Sequence, residues 1–173
     1  ELLEFELASI AEAERGVAVF VPTRNEAEQL ATGYNGKYGV HISFYHGGEP
    51  AEKLRAFIEG SIPRPYVIVM TSAGASSLNI SGLDTVVIVD EHFDEIVESG
   101  RQQLQRIKLD ANTLLQMAGR VDGRAIGGRV DIITTRSQLD LRSLQPVTPR
   151  FTLGGDLELL AMVSAHLGID IST

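Results

Sequence analysis

The chain has 173 residues, about one domain's worth, with no room for a second full α/β domain. Fifteen Lys and Arg against 23 Asp and Glu leave a net charge of −8, while 43% apolar and 22% charged residues are ordinary for a globular chain. The acidic balance argues against a generic polyanion binder, which is usually basic throughout, and the absence of Cys excludes disulfides, thiolate metal sites and cysteine nucleophiles.

A local cationic site stays open, because twelve of the fifteen cations are Arg. The apolar runs at Gly16–Pro22 and Val86–Val89 are too short to span a bilayer, so no membrane segment is expected. Residues Glu1–Glu14 are acidic and periodic, unlike a secretory signal, and an intracellular, cytoplasmic setting is the expectation. The chain opens without Met and reads as a fragment of something longer.

Glu1–Arg15 places Leu2, Leu3, Phe5, Leu7, Ile10 and Ala11 at helical spacing. Val17–Val21 is a short apolar run ended by Pro22, the pattern of a buried strand. Thr23 or Asn25 can cap a helix over Glu26–Thr32, with Glu28 placed to complete a box with Asn25. Val40–Tyr45 reads as a second strand, His46-Gly47-Gly48 as a turn, and Pro50–Glu59 as a helix with Leu54, Phe57 and Ile58 on one face. Tyr66–Met70 is a third strand. The small and polar Thr71–Ser81 follows as a loop, then Thr85–Val89 as a fourth strand.

Alternating runs at Glu95–Glu98 and Gln102–Lys108 on either side of Ser99-Gly100 predict a hairpin. Asp110 can cap a helix from Ala111 through Gly119, and Val130–Thr135 is a last strand. Strands alternating with helices imply right-handed crossovers and a mostly parallel sheet, whose ligands bind at the carboxyl ends of the strands. The pattern changes at Leu139. Residues 1–138 read as one α/β domain, and 139–173, with an apolar helix over Leu157–Leu167, as an extension or the start of a following domain.

Chemistry concentrates in Gln116-Met117-Ala118-Gly119-Arg120-Val121-Asp122-Gly123-Arg124. Guanidinium groups are always charged and fork onto phosphate oxygens, and Gly permits close backbone approach. An Arg brought to a γ-phosphate stabilises charge that spreads over its oxygens during transfer, and a nearby Gln can orient water. The plainer reading is a helix end with Arg complementing the dipole. A second feature is Val67–Ile80, a buried strand running into hydroxyls and small residues that could offer donors to phosphates. Its plainer reading is an ordinary βα connection.

In this order the features resemble the second RecA-like domain of superfamily 2 helicases, nearer the DEAH and flavivirus-type DExH branch. Val17–Leu30 is similar to motif IV and Val67–Ile80 to motif V. Gln116–Arg124 is similar to motif VI, whose family form is Gln-Arg-x-Gly-Arg-x-Gly-Arg. The hairpin between the last two is also typical of that branch. Met117 stands where the family usually has Arg, and one extra residue, Val121 or Asp122, separates Arg120 from Gly123. Ser72 stands where Asn or Asp is common and Ala75 where Glu is common.

The resemblance implies an α/β fold, a RecA-like three-layer domain with a hairpin insertion and a C-terminal helix, serving as the second motor domain of an ATP-dependent helicase. Arg124, Arg120 and Gln116 would face the phosphates and the attacking water. Gly119, Gly123, Ser77 and Asn79 would line the nucleotide. Pro22, Thr23, Arg24, Thr71 and Ser72 would touch single-stranded nucleic acid, with RNA the expected polymer and viral replication a common setting. ATP and Mg²⁺ would be bound mainly by an N-terminal RecA-like domain of the same longer chain, so this fragment alone would be inactive. The alternative is a non-catalytic helicase-like module that binds nucleotide or protein.

Val86–His92 imitates a strand ending in a metal-binding Asp-Glu pair, here Asp90-Glu91. Such a site also needs a P-loop, and Lys37, Lys53 and Lys108 all lack that setting. Asp90, Asp94 and Glu95 are read instead as a solvated strand end, Glu26 and Glu28 as helix surface, and His46 as structural.

Overall fold

In a computed structural model, residues 2–75, 79–98, 100–121, 128–137, 139–141 and 143–145 are described. Four helices, α1 (Leu2–Glu12), α2 (Arg24–Tyr34), α3 (Glu52–Ile58) and α4 (Ala111–Ala118), alternate with strands β1 (Gly16–Phe20), β2 (His41–Tyr45), β3 (Tyr66–Met70) and β4 (Thr85–Val89). Strands β5 (His92–Glu98) and β6 (Arg101–Ile107) precede α4, and β7 (Arg129–Ile133) follows it. Five strands form a parallel sheet in the order β2-β3-β1-β4-β7, while β5 and β6 pair only with each other, antiparallel. The predicted apolar helix over Leu157–Leu167 lies outside the described residues.

The strands are apolar at nearly every position because helices cover both sheet faces. Ala18, Phe20, Tyr66, Ile68, Met70, Val86 and Ile88 point toward α3 and α4, where Leu54, Phe57, Leu114 and Met117 meet them. Val17, Val21, Val67 and Val69 point the other way, against Leu7 of α1 and Ala27 and Ala31 of α2. Each fully buried Val, Ile or Phe contributes roughly 1.5–3 kcal/mol, so these two layers hold the domain together. Leu139, Leu141 and Leu144 pack against the α3/α4 layer. No described helix is long and apolar enough to cross a membrane.

Two glycines are required by close approach. A Cβ on Gly16 would stand 2.5 Å from the Gly82 carbonyl oxygen and 2.8 Å from the Tyr66 ring. On Gly74 it would lie 2.8 Å from Met70 Sδ. Gly16 thereby starts β1 flush against its neighbours, and Gly74 lets the chain turn directly after β3.

The cap of α2 differs in detail from the expectation. Thr23, not Asn25, is the N-cap, and its box partner is Glu26 rather than Glu28. The hydroxyl of Thr23 accepts from the Glu26 amide at 3.1 Å, and Glu26 Oε2 accepts from the Thr23 amide at 3.1 Å. Two residues that each qualify as caps compete, and the earlier one wins because Pro22 ends the strand immediately before it.

The hairpin is longer than predicted at its start, since His92 already pairs with Ile107. Gly100 supplies the positive φ of its turn, +74°.

Candidate functional site

All five parallel strands end on one edge, and the loops there bring distant residues together. The amide of Val21 donates to the Met70 carbonyl at 2.8 Å, and the Thr71 amide donates to the Tyr45 carbonyl at 3.3 Å. The exits of β1, β3 and β2 are thus laced side by side. Thr71 and Gly74 close a tight turn, Gly74 N to Thr71 O at 2.9 Å. Ser72 and Ala73 are exposed on it. Arg24 is exposed at the first turn of α2, and Pro22 and Thr23 are half-buried beside it. A Cβ on Gly48 would lie 3.6 Å from Arg24 Nη1, and one on Gly47 would lie 3.5 Å from the Ala73 Cβ. The sequence-predicted residues Pro22, Thr23, Arg24, Thr71 and Ser72 therefore share one edge, with the Gly47-Gly48 turn joining them.

That turn is held by His46, which is buried. Its Nδ1 accepts from the Gly48 amide at 3.1 Å, so the proton sits on Nε2, which faces Glu28 Oε1 at 2.9 Å. His46 is structural, as its sequence setting suggests. Glu28 is not merely helix surface: it ties α2 to this turn.

The next exit on the same edge corrects one expectation. Asp90 is not part of a solvated strand end; it is fully buried. Its carboxylate accepts from the Leu109 amide at 3.2 Å, the Thr134 hydroxyl at 2.6 Å and Arg136 Nη2 at 2.9 Å, and Arg136 Nε lies 2.7 Å from its other oxygen. Arg136 also donates to the Leu109 carbonyl. Both oxygens are thus engaged, and the donor set is that of an Arg-carboxylate latch, not of a Mg²⁺ ligand. Among the described residues no group of three or more His, Asp or Glu gathers in a way that could hold a metal ion.

Helix α4 leaves this edge at Leu109 and runs back along β4. Asp110 caps it, accepting from the Thr113 amide at 2.9 Å and the Thr113 hydroxyl at 2.7 Å. Burial pushes the Asp110 carboxyl up, but these hydrogen bonds outweigh it and hold the group below its ordinary value. The helix carries Gln116 about 9 Å along its axis from its Asp110 cap. Gln116 and Gly119 are exposed, and Arg120 is half-buried. Asn79 is exposed after β3. Arg124, Gly123 and Ser77 lie outside the described residues.

Residues 2–125 match the helicase conserved C-terminal domain. The chain belongs to this family, the second RecA-like domain of superfamily 2 helicases. It is 33% identical over 126 residues to the genome polyprotein of bovine viral diarrhea virus (strain SD-1), which covers 69% of this chain and 3% of that one. The genome polyprotein of classical swine fever virus (strain Alfort/Tuebingen) is 31% identical over 126 residues, again 69% of this chain and 3% of the other. In fold, the domain is similar to the DExH-box NTPase HrpB of E. coli, with a TM-score of 0.73 and 21% identity over 96% of this chain and 21% of that structure. The chain thus spans a small fraction of the length of these relatives.

Within this helicase domain, Met117, Val121 and Ala75, which the sequence reading sets against family motif positions, all lie in the core. Met117 is 2% exposed and sits among Leu114, Ile88 and their neighbours in the α3/α4 layer. A guanidinium there would be buried without water, which is costly. Val121 is also 2% exposed in the same layer, so it is a core residue of the loop. Ala75 is buried where the chain leaves the Thr71–Gly74 turn.

Sequence reasoning missed Arg106 and Arg136 altogether. Arg106 donates to Glu91 Oε2 at 2.9 Å and to Glu26 Oε1 at 3.2 Å, and Lys108 donates to Glu91 Oε1 at 3.2 Å. Partners 80 and 46 residues apart leave no local signal. Only the acidic pair closing β4 hinted that cations must come to it.

Proposed function

We propose that this domain is the second half of an NTP-driven helicase motor acting on single-stranded RNA. The observation that carries the reading is the match to the helicase C-terminal domain over 2–125 together with the joining of Arg24, the Gly47-Gly48 turn and the Thr71–Ala73 turn on one sheet edge. Exposed backbone and one Arg at such an edge suit a phosphate backbone, which carries no sequence information. The likeness to the DExH branch supports RNA as the polymer. An acidic overall charge is compatible, because only this edge has to be cationic.

ATP and its Mg²⁺ would be held mainly by a first RecA-like domain of the longer chain, consistent with Asp90 being committed to Arg136. From this side Gln116, Gly119 and Arg120 would approach the nucleotide, with Ser77, Asn79, Gly123 and Arg124 completing the set. The bound nucleotide supplies the phosphoanhydride whose cleavage drives the cycle. This chain's guanidinium groups would stabilise the charge on the phosphate oxygens, and Gln116 would orient water.

The test is NTP hydrolysis by the full-length protein with and without RNA. RNA-stimulated hydrolysis is expected there, none from this chain alone, and Arg124→Ala should lower kcat by about a thousandfold while RNA binding survives. Hydrolysis by the isolated chain, or full activity of Arg124→Ala, overturns the assignment. The burial of Met117 and Ala75 at two motif positions favours a second reading, a non-catalytic module that binds nucleotide or protein. Under it the full-length protein binds RNA or nucleotide without turnover.

A further inference from the structure

The hairpin β5–β6 is a separate two-stranded sheet. A lone hairpin has few contacts to define its direction. Much of its surface is open: Phe93 is 36% and Leu104 65% exposed. Among the described residues, a set of polar contacts at its base ties it to the end of β4. Glu91 takes Arg106 and Lys108, while Asp90 takes the Leu109 amide just beyond. These contacts fix where the hairpin starts. One contact reaches further. Arg106 spans from Glu91 to Glu26, with its guanidinium carbon 5.2 Å from the centre of the Phe93 ring. Phe93 is also the cross-strand partner of Arg106, so the Arg stem is backed by its own hairpin.

Glu26 is the box residue of α2. Its Oε2 accepts from both the amide and the hydroxyl of Thr23, at 3.1 and 3.0 Å, while Oε1 takes Arg106. One carboxylate therefore holds the Thr23–Arg24 turn with one oxygen and the hairpin with the other. A planar fork with two carboxylates on different elements defines an orientation that a single point charge would not.

We infer that Arg106 is a positioning residue that sets the tilt of the hairpin relative to the Thr23–Arg24 turn, so that displacement of a nucleic-acid strand at that turn is passed to the hairpin. The inference rests on the proposed contact between that turn and the strand. Because Arg106 is about half exposed, its effect is on geometry and coupling rather than on stability.

The test uses the full-length protein and reads nucleotide hydrolysed per base pair unwound. Arg106→Ala is expected to keep RNA-stimulated hydrolysis and the wild-type melting temperature, yet to spend roughly five- to tenfold more nucleotide per base pair, the size of a typical coupling between sites. Glu26→Gln keeps a capping acceptor at the same position and loses the charge that Arg106 needs, so it should show the same loss. The double variant should be no worse than either single one, because both break one link. Arg106→Lys, which reaches one carboxylate at a time, should recover part of the coupling. Wild-type coupling in Arg106→Ala, or independent losses that multiply in the double variant, overturns the inference. An inactive wild-type protein would instead overturn the motor reading itself, so the two failures are told apart by which protein shows them.

Discussion

Asp90 and Glu91 are neighbours with the same charge, and both hold the segment that leads from the hairpin into α4. They do so in different media. Asp90 is fully buried and meets Leu109, Thr134 and Arg136, with Arg136 reaching both of its oxygens. Glu91 is about a quarter exposed, and its partners Arg106 and Lys108 are more open still. A buried pair is weakly stabilising as a whole but very costly to break, because the surviving charge is left without water. An exposed pair is screened and contributes little energy, yet it can still choose a direction. The first carboxylate is committed inside the fold; the second aims the hairpin.

The contrast breaks most sharply at Asp90→Ala. Arg136 would lose its carboxylate partner and the Thr134 hydroxyl and Leu109 amide their acceptor, and destabilisation of about 3–5 kcal/mol is expected in urea unfolding. A loss below about 1 kcal/mol would place Asp90 with the exposed pairs.

Tyr66 sharpens the same point with an uncharged group. It is 1% exposed, and its hydroxyl donates to the Ser81 carbonyl at 3.0 Å. Burial first, then the Asp84 carboxylate, pushes it up to about 12, with Arg64 opposing. Its folded value is raised, so its stabilisation is full below the unfolded value near 10 and disappears as pH rises toward 12. The wild type should lose about 2–3 kcal/mol across that window, and Tyr66→Phe should lose distinctly less over the same range. Equal slopes for the two proteins would remove the assignment.

The smallest effect belongs to Glu91→Ala. Stability should change by less than about 1 kcal/mol, while the hairpin amides from His92 to Ile107 exchange faster with solvent. A large drop in stability would show that the hairpin base belongs to the core after all.

How much of this was readable along the chain depends on distance. The strands Tyr66–Met70 and Thr85–Val89 stand where their apolar runs predict, and the hairpin turns at Gly100 as Ser99-Gly100 suggests. The cap on α2 was narrowed to two residues, because Thr23 and Asn25 offer the same chemistry two positions apart. The candidate edge was legible as Thr23, Arg24, Thr71 and Ser72, since a parallel sheet and the rule about carboxyl ends put their loops on one edge; that β1 and β3 are neighbours came only from the structure. Asp90 was misread because its strand closes on an acidic pair, the usual mark of a solvated end. The cation that buries it comes from Arg136, across another strand.

By itself, then, the sequence determined the layers of the fold and the family, because apolar periodicity and motif order are local properties that folding preserves. Tertiary structure alone decided the fate of each charge. It drew Arg136 to Asp90 and stretched Arg106 between Glu91 and Glu26. It also turned Met117 inward, between two exposed neighbours, Gln116 and Gly119. A charge is assigned by its nearest partner and its access to water, and both are set only when distant strands come side by side.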